Sequence, residues 1–153
     1  MSRPRLPYDE YRSIYARVPR LCVDLVFETE EGVLLARRDI DPGRGLWHLP
    51  GGTVLLGESL HEAACRVGSE EVGLSVVSLE LLGSIEFLPE TNQFFHAVTF
   101  AFRAVPDSGE PRPLRQTSHV GWFLEAPDPM VAEQRRFLVE RGILRDGVSG
   151  STS

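Results

Sequence analysis

The stretch GGTVLLGESLHEAACRVGSEEVGL, residues 51–74, opens on two glycines and closes on two adjacent glutamates, Glu70 and Glu71. Ser59, followed three residues later by Glu62, is a pattern in which a hydroxyl and a carboxylate cap a helix reciprocally. It predicts a helix over 60–72, with Gly73 as the residue that stops it. A helix advances about 100° per residue, so positions 67, 70 and 71 share one face. Two carboxylates this close repel unless a cation neutralises them. Hard oxygen ligands suit Mg²⁺ or Mn²⁺. Gly51 and Gly52 allow a close backbone approach, which brings a main-chain carbonyl toward the same ion. Arg66 stands at the edge of this face, where it either pairs with Glu58 to hold the loop or meets a substrate phosphate. A lone Glu-Glu pair is otherwise a solvated helix face; the fixed spacing to the glycines and Glu58 tips the reading toward a site. Two positions break the pattern. Val67 has no lone pair to offer a metal, and Gly68 in mid-helix costs about 1 kcal/mol against alanine. Val67 also lies on the stripe of Leu60, Ala63 and Ala64, where it fills volume that a larger residue at 68 would take.

Upstream, 8–18 reads as a short amphipathic helix, with Tyr11, Ile14, Tyr15 and Val18 at helical spacing. The runs 20–28 and 33–38 read as a strand and its return, joined by the turn TEEG. A loop over 39–45 leads to a short strand, 46–52, that breaks at Pro50. Downstream, 74–88 and 92–105 are long β-prone runs joined at PETN. Then come a loop, 106–118, a strand, 119–124, and a helix, 130–143, with Val131, Phe137, Leu138 and Ile143 near one face. The tail 144–153 is expected to be polar and mobile. Several strands with a central and a late helix predict an α+β (α/β) architecture, a mixed sheet covered by helices. With 153 residues, the chain is expected to form one domain.

A net charge of −6 and no evident basic patch argue against a nucleic-acid partner. An acidic protein that handles an anionic substrate needs local positive charge or metal ions. Cys22 and Cys65 each lie in an apolar pattern without metal-type spacing, which suggests buried thiols in a reduced compartment. The first residues carry no apolar signal region, and no run approaches the ~18 apolar residues of a membrane span. A cytoplasmic location, away from membranes, is expected.

The spacing from Gly52 through Glu58, Arg66, Glu70, Glu71 and Gly73 to Leu74 resembles the Nudix box, G-x5-E-x7-R-E-U-x-E-E-x-G-U with U aliphatic. Val67 and Gly68 are the departures. The flanking GLWHLPGG and the strand leading to Trp122 agree with it, so the resemblance spans roughly residues 18–142. It implies a mixed sheet between helices and hydrolysis of a nucleoside diphosphate linked to another group, with Mg²⁺ or Mn²⁺ as cofactor. Metal ions in such sites polarise phosphoryl oxygens. By resemblance, the Gly51 carbonyl, Glu70 and Glu71 bind metal, Arg66 belongs to the catalytic set, and Gly52 and Glu58 brace the motif. Position 67 normally adds another ligand, which valine cannot supply.

One branch that also lacks this glutamate, the GDP-mannose mannosyl hydrolases, is similar beyond the box. VPRLCVDLVFE with Asp24, LLARRDIDPGRGLWHLPGG with Arg38, HAVTFAFR with His96 and RQTSHVGWF all resemble that branch. The likeness implies substrate contacts from Asp24, Arg38 and His96, a metal contact from Gln116, and a general base at the next position. That position is Thr117 here, and the nearest histidine is His119. Thr117 and His119 are expected to share a side of an extended segment, roughly 6–7 Å apart. Thr53 stands where the branch has an arginine, and both closing glutamates are kept where the branch keeps one. The implied substrate is a nucleotide sugar, attacked by water at the anomeric carbon.

Each of these residues also has a plainer reading. His119 is either the base or a surface histidine, and His96 either a structural or a substrate-contacting residue. Asp24, in an apolar strand, needs a partner, for which Arg38 on the neighbouring strand is the expected candidate. His48 and His61 read as ordinary surface or edge residues. Glu86 and Glu90 are candidates for an extra carboxylate. Trp122 is expected in the core, and Tyr11 and Tyr15 are expected to pack the N-terminal helix, against a second subunit in the homodimer reading.

Overall fold

The computed structural model describes residues 4–89, 96–107 and 109–147. Its sheet is organised around β1 (Arg20–Thr29), a run of β-branched and large apolar residues buried from Cys22 to Phe27. Along one edge β1 pairs in parallel with β6 (Ala97–Pro106), which pairs antiparallel with β5 (Val76–Phe87). Along its other edge β1 is shared. Its first half pairs with β4 (Gly51–Thr53) and its end turns back into β2 (Gly32–Arg38). β2 carries β3 (Trp47–His48) on one side and β7 (Thr117–Phe123) on the other. The result is the mixed sheet expected, with parallel and antiparallel pairs in one seven-stranded assembly.

Side chains alternate across a strand, and β1 uses both faces. Cys22 and Val26 enter a core with Phe137 and Leu138 of α3 (Ala132–Glu140). Val23, Leu25 and Phe27 enter a second core with Ala63, Ala64, Val67 and Val72 of α2 (Leu60–Val72). The sheet is thus covered by one helix on each face, an α+β architecture. α1 (Tyr8–Tyr15) precedes β1 and buries none of its own residues.

Several boundaries differ from the sequence reading. The strand expected over 46–52 divides into β3 and β4, because Pro50 offers no N–H to a ladder. The late helix is shorter than 130–143. Met130 is taken up in a bridge with Trp47, and Gly142 turns to φ 70. α1 stops at Tyr15, leaving Val18 exposed. β7 begins two residues early, at Thr117. Most of the PETN turn and the start of the strand expected from 92 lie outside the described residues. The tail does not begin at 144: Leu144 is buried, Arg145 bridges to Glu125, and Asp146 pairs with Arg135. An apolar side chain that fits the first core outweighs the polar composition around it. Residues 148–153 lie outside the described residues. Among the described residues no helix is long and apolar enough to cross a membrane.

Candidate active site

The box helix α2 starts with the reciprocal cap that its sequence encodes. The Glu62 amide donates to Ser59 Oγ at 3.0 Å, and the Ser59 amide donates to Glu62 Oε1 at 2.8 Å. It ends at Gly73, φ 72, where the Leu74 amide donates to the Gly68 carbonyl at 2.9 Å. The loop before it is braced by an ion pair. Arg66 Nε donates to Glu58 Oε2 at 2.7 Å and Nη2 to Glu58 Oε1 at 3.0 Å, while Nη2 also reaches the Thr53 carbonyl at 2.8 Å. The Glu58 side chain is only 4% exposed. Such a two-pronged, largely desolvated pair fixes geometry far better than a surface contact.

Glu70 and Glu71 lie where α2 meets the loop before β7. Glu70 is approached by Arg5, by Arg66 Nη1 at 3.3 Å and by Arg115 Nη1 at 3.6 Å. Arg115 Nε stands 3.5 Å from Glu71 Oε2. Burial raises the Glu71 carboxyl above the usual range; Arg115 opposes the rise and the Glu70 charge adds to it. Val67, one turn back, is 1% exposed and packs in the second core. A Cβ on Gly52 would stand 3.3 Å from its Cγ2, so the second glycine lets β4 lie directly on that valine. Among the described residues no three His, Cys, Asp or Glu side chains are grouped to hold a metal. Two adjacent hard carboxylates fit one Mg²⁺ or Mn²⁺, completed by main-chain or water oxygens. They do not offer the extra carboxylate that a multi-metal cluster needs.

Gly51 faces the other side of β4. A Cβ there would fall 2.1 Å from Asp24 Oδ1, so glycine is what lets the backbone lie against this carboxyl. Asp24 was expected to pair with Arg38; its hydrogen-bond partner is instead Gln134, whose Nε2 donates to Oδ2 at 2.9 Å. Gln134 Oε1 in turn accepts from the Leu49 amide at 2.9 Å. Even-numbered β1 residues face α3, and this brings Gln134 to Asp24. Burial raises the Asp24 carboxyl to about 7, against the effects of Gln134 and Arg20. Arg38 lies in the field of Glu71 and Arg20, and its Nε donates to the Pro42 carbonyl. Arg20 Nη1 donates to Thr53 Oγ1 at 3.0 Å, and Tyr11 Oη lies 3.4 Å from the same oxygen. A guanidinium therefore stands beside Thr53.

The histidines are placed as follows. His48 lies on the edge strand β3, as one of its two readings expected, but it is partly buried there: its Nδ1 lies 2.8 Å from the Leu49 carbonyl, and burial lowers it to about 4. His61 is exposed on α2. The His96 carbonyl accepts from the Arg20 amide at 2.8 Å. Glu86 is exposed on β5, and Glu90 lies outside the described residues.

Gln116 is exposed, and its carbonyl accepts from the Asp39 amide at 2.9 Å. Beyond it the ladder slips: Thr117 lies opposite Arg38, but His119 lies opposite Arg37. Directly opposed residues share a face and consecutive ones do not. The bulge at Ser118 therefore sets Thr117 and His119 on opposite faces, which corrects the expectation that they share one. His119 is exposed, on the face of Leu35 and α3, and its Nδ1 lies 2.9 Å from Ser118 Oγ. It is turned away from Arg38 and the box helix, which removes the geometric ground for it as the base. The sequence reading missed Arg5, Arg20, Arg115 and Gln134. Only Arg115 carried a signal, its adjacency to Gln116.

The NUDIX domain family matches residues 18–141. The chain is 46% identical over 88 residues to the low-salt glycan biosynthesis protein Agl8 of Haloferax volcanii, covering 58% of this chain and 56% of that protein. It is 34% identical over 84 residues to the ADP-ribose pyrophosphatase of Methanocaldococcus jannaschii, covering 55% and 49%. The chain thus spans about half the length of these curated relatives. A MutT NUDIX hydrolase from Burkholderia pseudomallei superposes with a TM-score of 0.74 at 29% identity, over 80% of this chain and 97% of that one. The NUDIX domain of NrtR from Shewanella oneidensis, complexed with ADP ribose, shares the fold at a TM-score of 0.64 and 23% identity, over 89% and 99%. With the match running from the residues before β1 to the end of α3 and including the whole box helix, the chain belongs to the NUDIX family.

Proposed function

We propose that this chain is a Mg²⁺-dependent hydrolase of a nucleoside diphosphate sugar of the GDP-mannose type, with Mn²⁺ as an alternative ion. The observation that carries the reading is the burial of Val67 in the core, which leaves Glu70 and Glu71 as a two-carboxylate site. The name of the Haloferax relative, a glycan biosynthesis protein, supports a sugar-linked substrate. In this reading Glu70, Glu71, the Gly51 carbonyl and Gln116 hold the cation. The cation, when bound, neutralises the diphosphate and makes it a better leaving group. Arg66 and Glu58 hold the loop and Gly52 against α2. Arg38 meets the diphosphate and His96 lines the sugar side, while Asp24, enclosed between Gly51 and Gln134, acts through the Gly51 backbone that it holds in place rather than by touching the substrate. Water forms a bond to the anomeric carbon, the bond from that carbon to the phosphate oxygen breaks, and sugar, nucleoside diphosphate and a proton are released.

A second reading is a pyrophosphohydrolase that attacks phosphorus, favoured by the ADP-ribose pyrophosphatase relative. Hydrolysis of a nucleotide-sugar panel in ¹⁸O water separates the two. Label in the sugar supports carbon attack, and label in a phosphate overturns it. Mn²⁺ and nucleotide bound with no product would instead identify a binding domain. A homodimer is part of the proposal: Tyr8, Ile14 and Val18 stay exposed on and after α1, which suits a second copy. A monomer in sedimentation at micromolar concentration would remove it.

A further inference from the structure

We infer that Arg115 is a diphosphate-capturing residue, which holds the box glutamates until a cation takes them and then turns to the substrate phosphates. The inference rests on the cation-dependent reading above and adds a residue that specifies the diphosphate. Arg115 is the one non-glycine residue with a positive φ, 53, among the described residues. Such a conformation persists where the surroundings over-determine it. The chain is tied on both sides of it. The Leu114 amide donates to the Glu71 carbonyl at 3.3 Å, and the Gln116 carbonyl accepts from the Asp39 amide at 2.9 Å. The loop is thereby anchored to the end of the box helix and to the segment after β2, with the guanidinium 3.5 Å from Glu71 and 3.6 Å from Glu70.

The other arginines at the glutamates are differently placed. Arg66 is committed to Glu58 and the Thr53 carbonyl, with its side chain 14% exposed. Arg5 comes from the segment ahead of α1. The Arg115 side chain is 41% exposed and has the two glutamates as its ion-pair partners. A dication on those carboxylates displaces the guanidinium by charge. A planar guanidinium is then suited to two phosphate oxygens, and the phosphates drawn to that cation lie within its reach. Arg115 and the cation therefore compete for the two glutamates and cooperate on the diphosphate. A role in folding alone would not give effects of opposite sign.

The test uses R115G, since glycine accepts the positive φ without strain, together with R115K and, as a distant control, R103Q. Mn²⁺ affinity without nucleotide is read by electron paramagnetic resonance. Affinity for inorganic pyrophosphate at saturating Mn²⁺ is read by calorimetry. R115G is expected to bind Mn²⁺ about fivefold more tightly and pyrophosphate about tenfold or more weakly. R115K recovers part of the pyrophosphate affinity, and R103Q changes neither. Mn²⁺ binding unchanged or weakened in R115G, or pyrophosphate binding unchanged, overturns the inference, as does a wild type that binds Mn²⁺ but no pyrophosphate. If the wild type binds no Mn²⁺, the cation-dependent reading falls and takes the inference with it. If the wild type binds both and R115G matches it, the inference alone falls.

Discussion

Asp24 is enclosed by the Gly51 backbone on one side and Gln134 on the other, and it stays protonated to about pH 7. In the unfolded chain an aspartate ionises near pH 3.9. Between those values the folded state holds the extra proton, so this residue makes stability fall as pH rises from about 4 to about 7. Asn cannot titrate. The stability of D24N relative to wild type should therefore rise across that window, read as urea midpoints at pH 4.5 and 7.5. A constant difference would mean that Asp24 ionises normally in the fold. Glu71 carries the other residue-scale prediction. Removing its charge in E71Q leaves one carboxylate at the candidate cation site, and Mg²⁺-dependent turnover should fall by about 10²-fold or more. Full kcat in E71Q at saturating Mg²⁺ would sink the assignment.

At the scale of elements, α2 was legible because its determinants are local. A capping box, an apolar stripe and a terminal glycine act within a few residues of each other. Gly68 is the exception, and its reason is tertiary. A Cβ there would stand 2.9 Å from the Leu74 carbonyl oxygen and 3.1 Å from Val76 Cγ2. In an isolated helix G68A would gain about 1 kcal/mol; in this protein it should lose about 1–3 kcal/mol by overpacking. Urea unfolding checks the sign, and a stabilised variant would show that the Leu74–Val76 turn yields. β7 was placed to within two residues, yet the facing of His119 was misread. Alternation in a sequence assumes an unbroken ladder, and the slip at Ser118 arises only when β7 pairs with β2. The box brace needed only spacing to be anticipated, whereas Arg5 and Arg115 reach the glutamates through loops whose paths no local pattern encodes.

For the whole molecule, the mixed sheet between helices followed from the order of apolar runs, because burial of two faces leaves few alternatives. What the sequence did not disclose were contacts between distant segments. Gln134 joins α3 to Asp24 across 110 positions, and Leu144 returns a segment that reads as tail to the core. Leu144 is 2% exposed in the core shared with Phe137 and Leu138. L144A should therefore cost about 2–4 kcal/mol, read by urea unfolding; a surface-like loss of under about 0.5 kcal/mol would return the segment to the tail.

β1 supplies alternate side chains to both cores and bonds to β6 along its length while two strands divide its other edge. Neither half of the protein can then open without disturbing the strand they share. The buried amides of β1 should exchange with solvent only by global unfolding, at one common free energy, whereas those of α1 exchange by local fraying. In hydrogen–deuterium exchange at native conditions, an early-exchanging β1 would mean that the two cores melt as separate units.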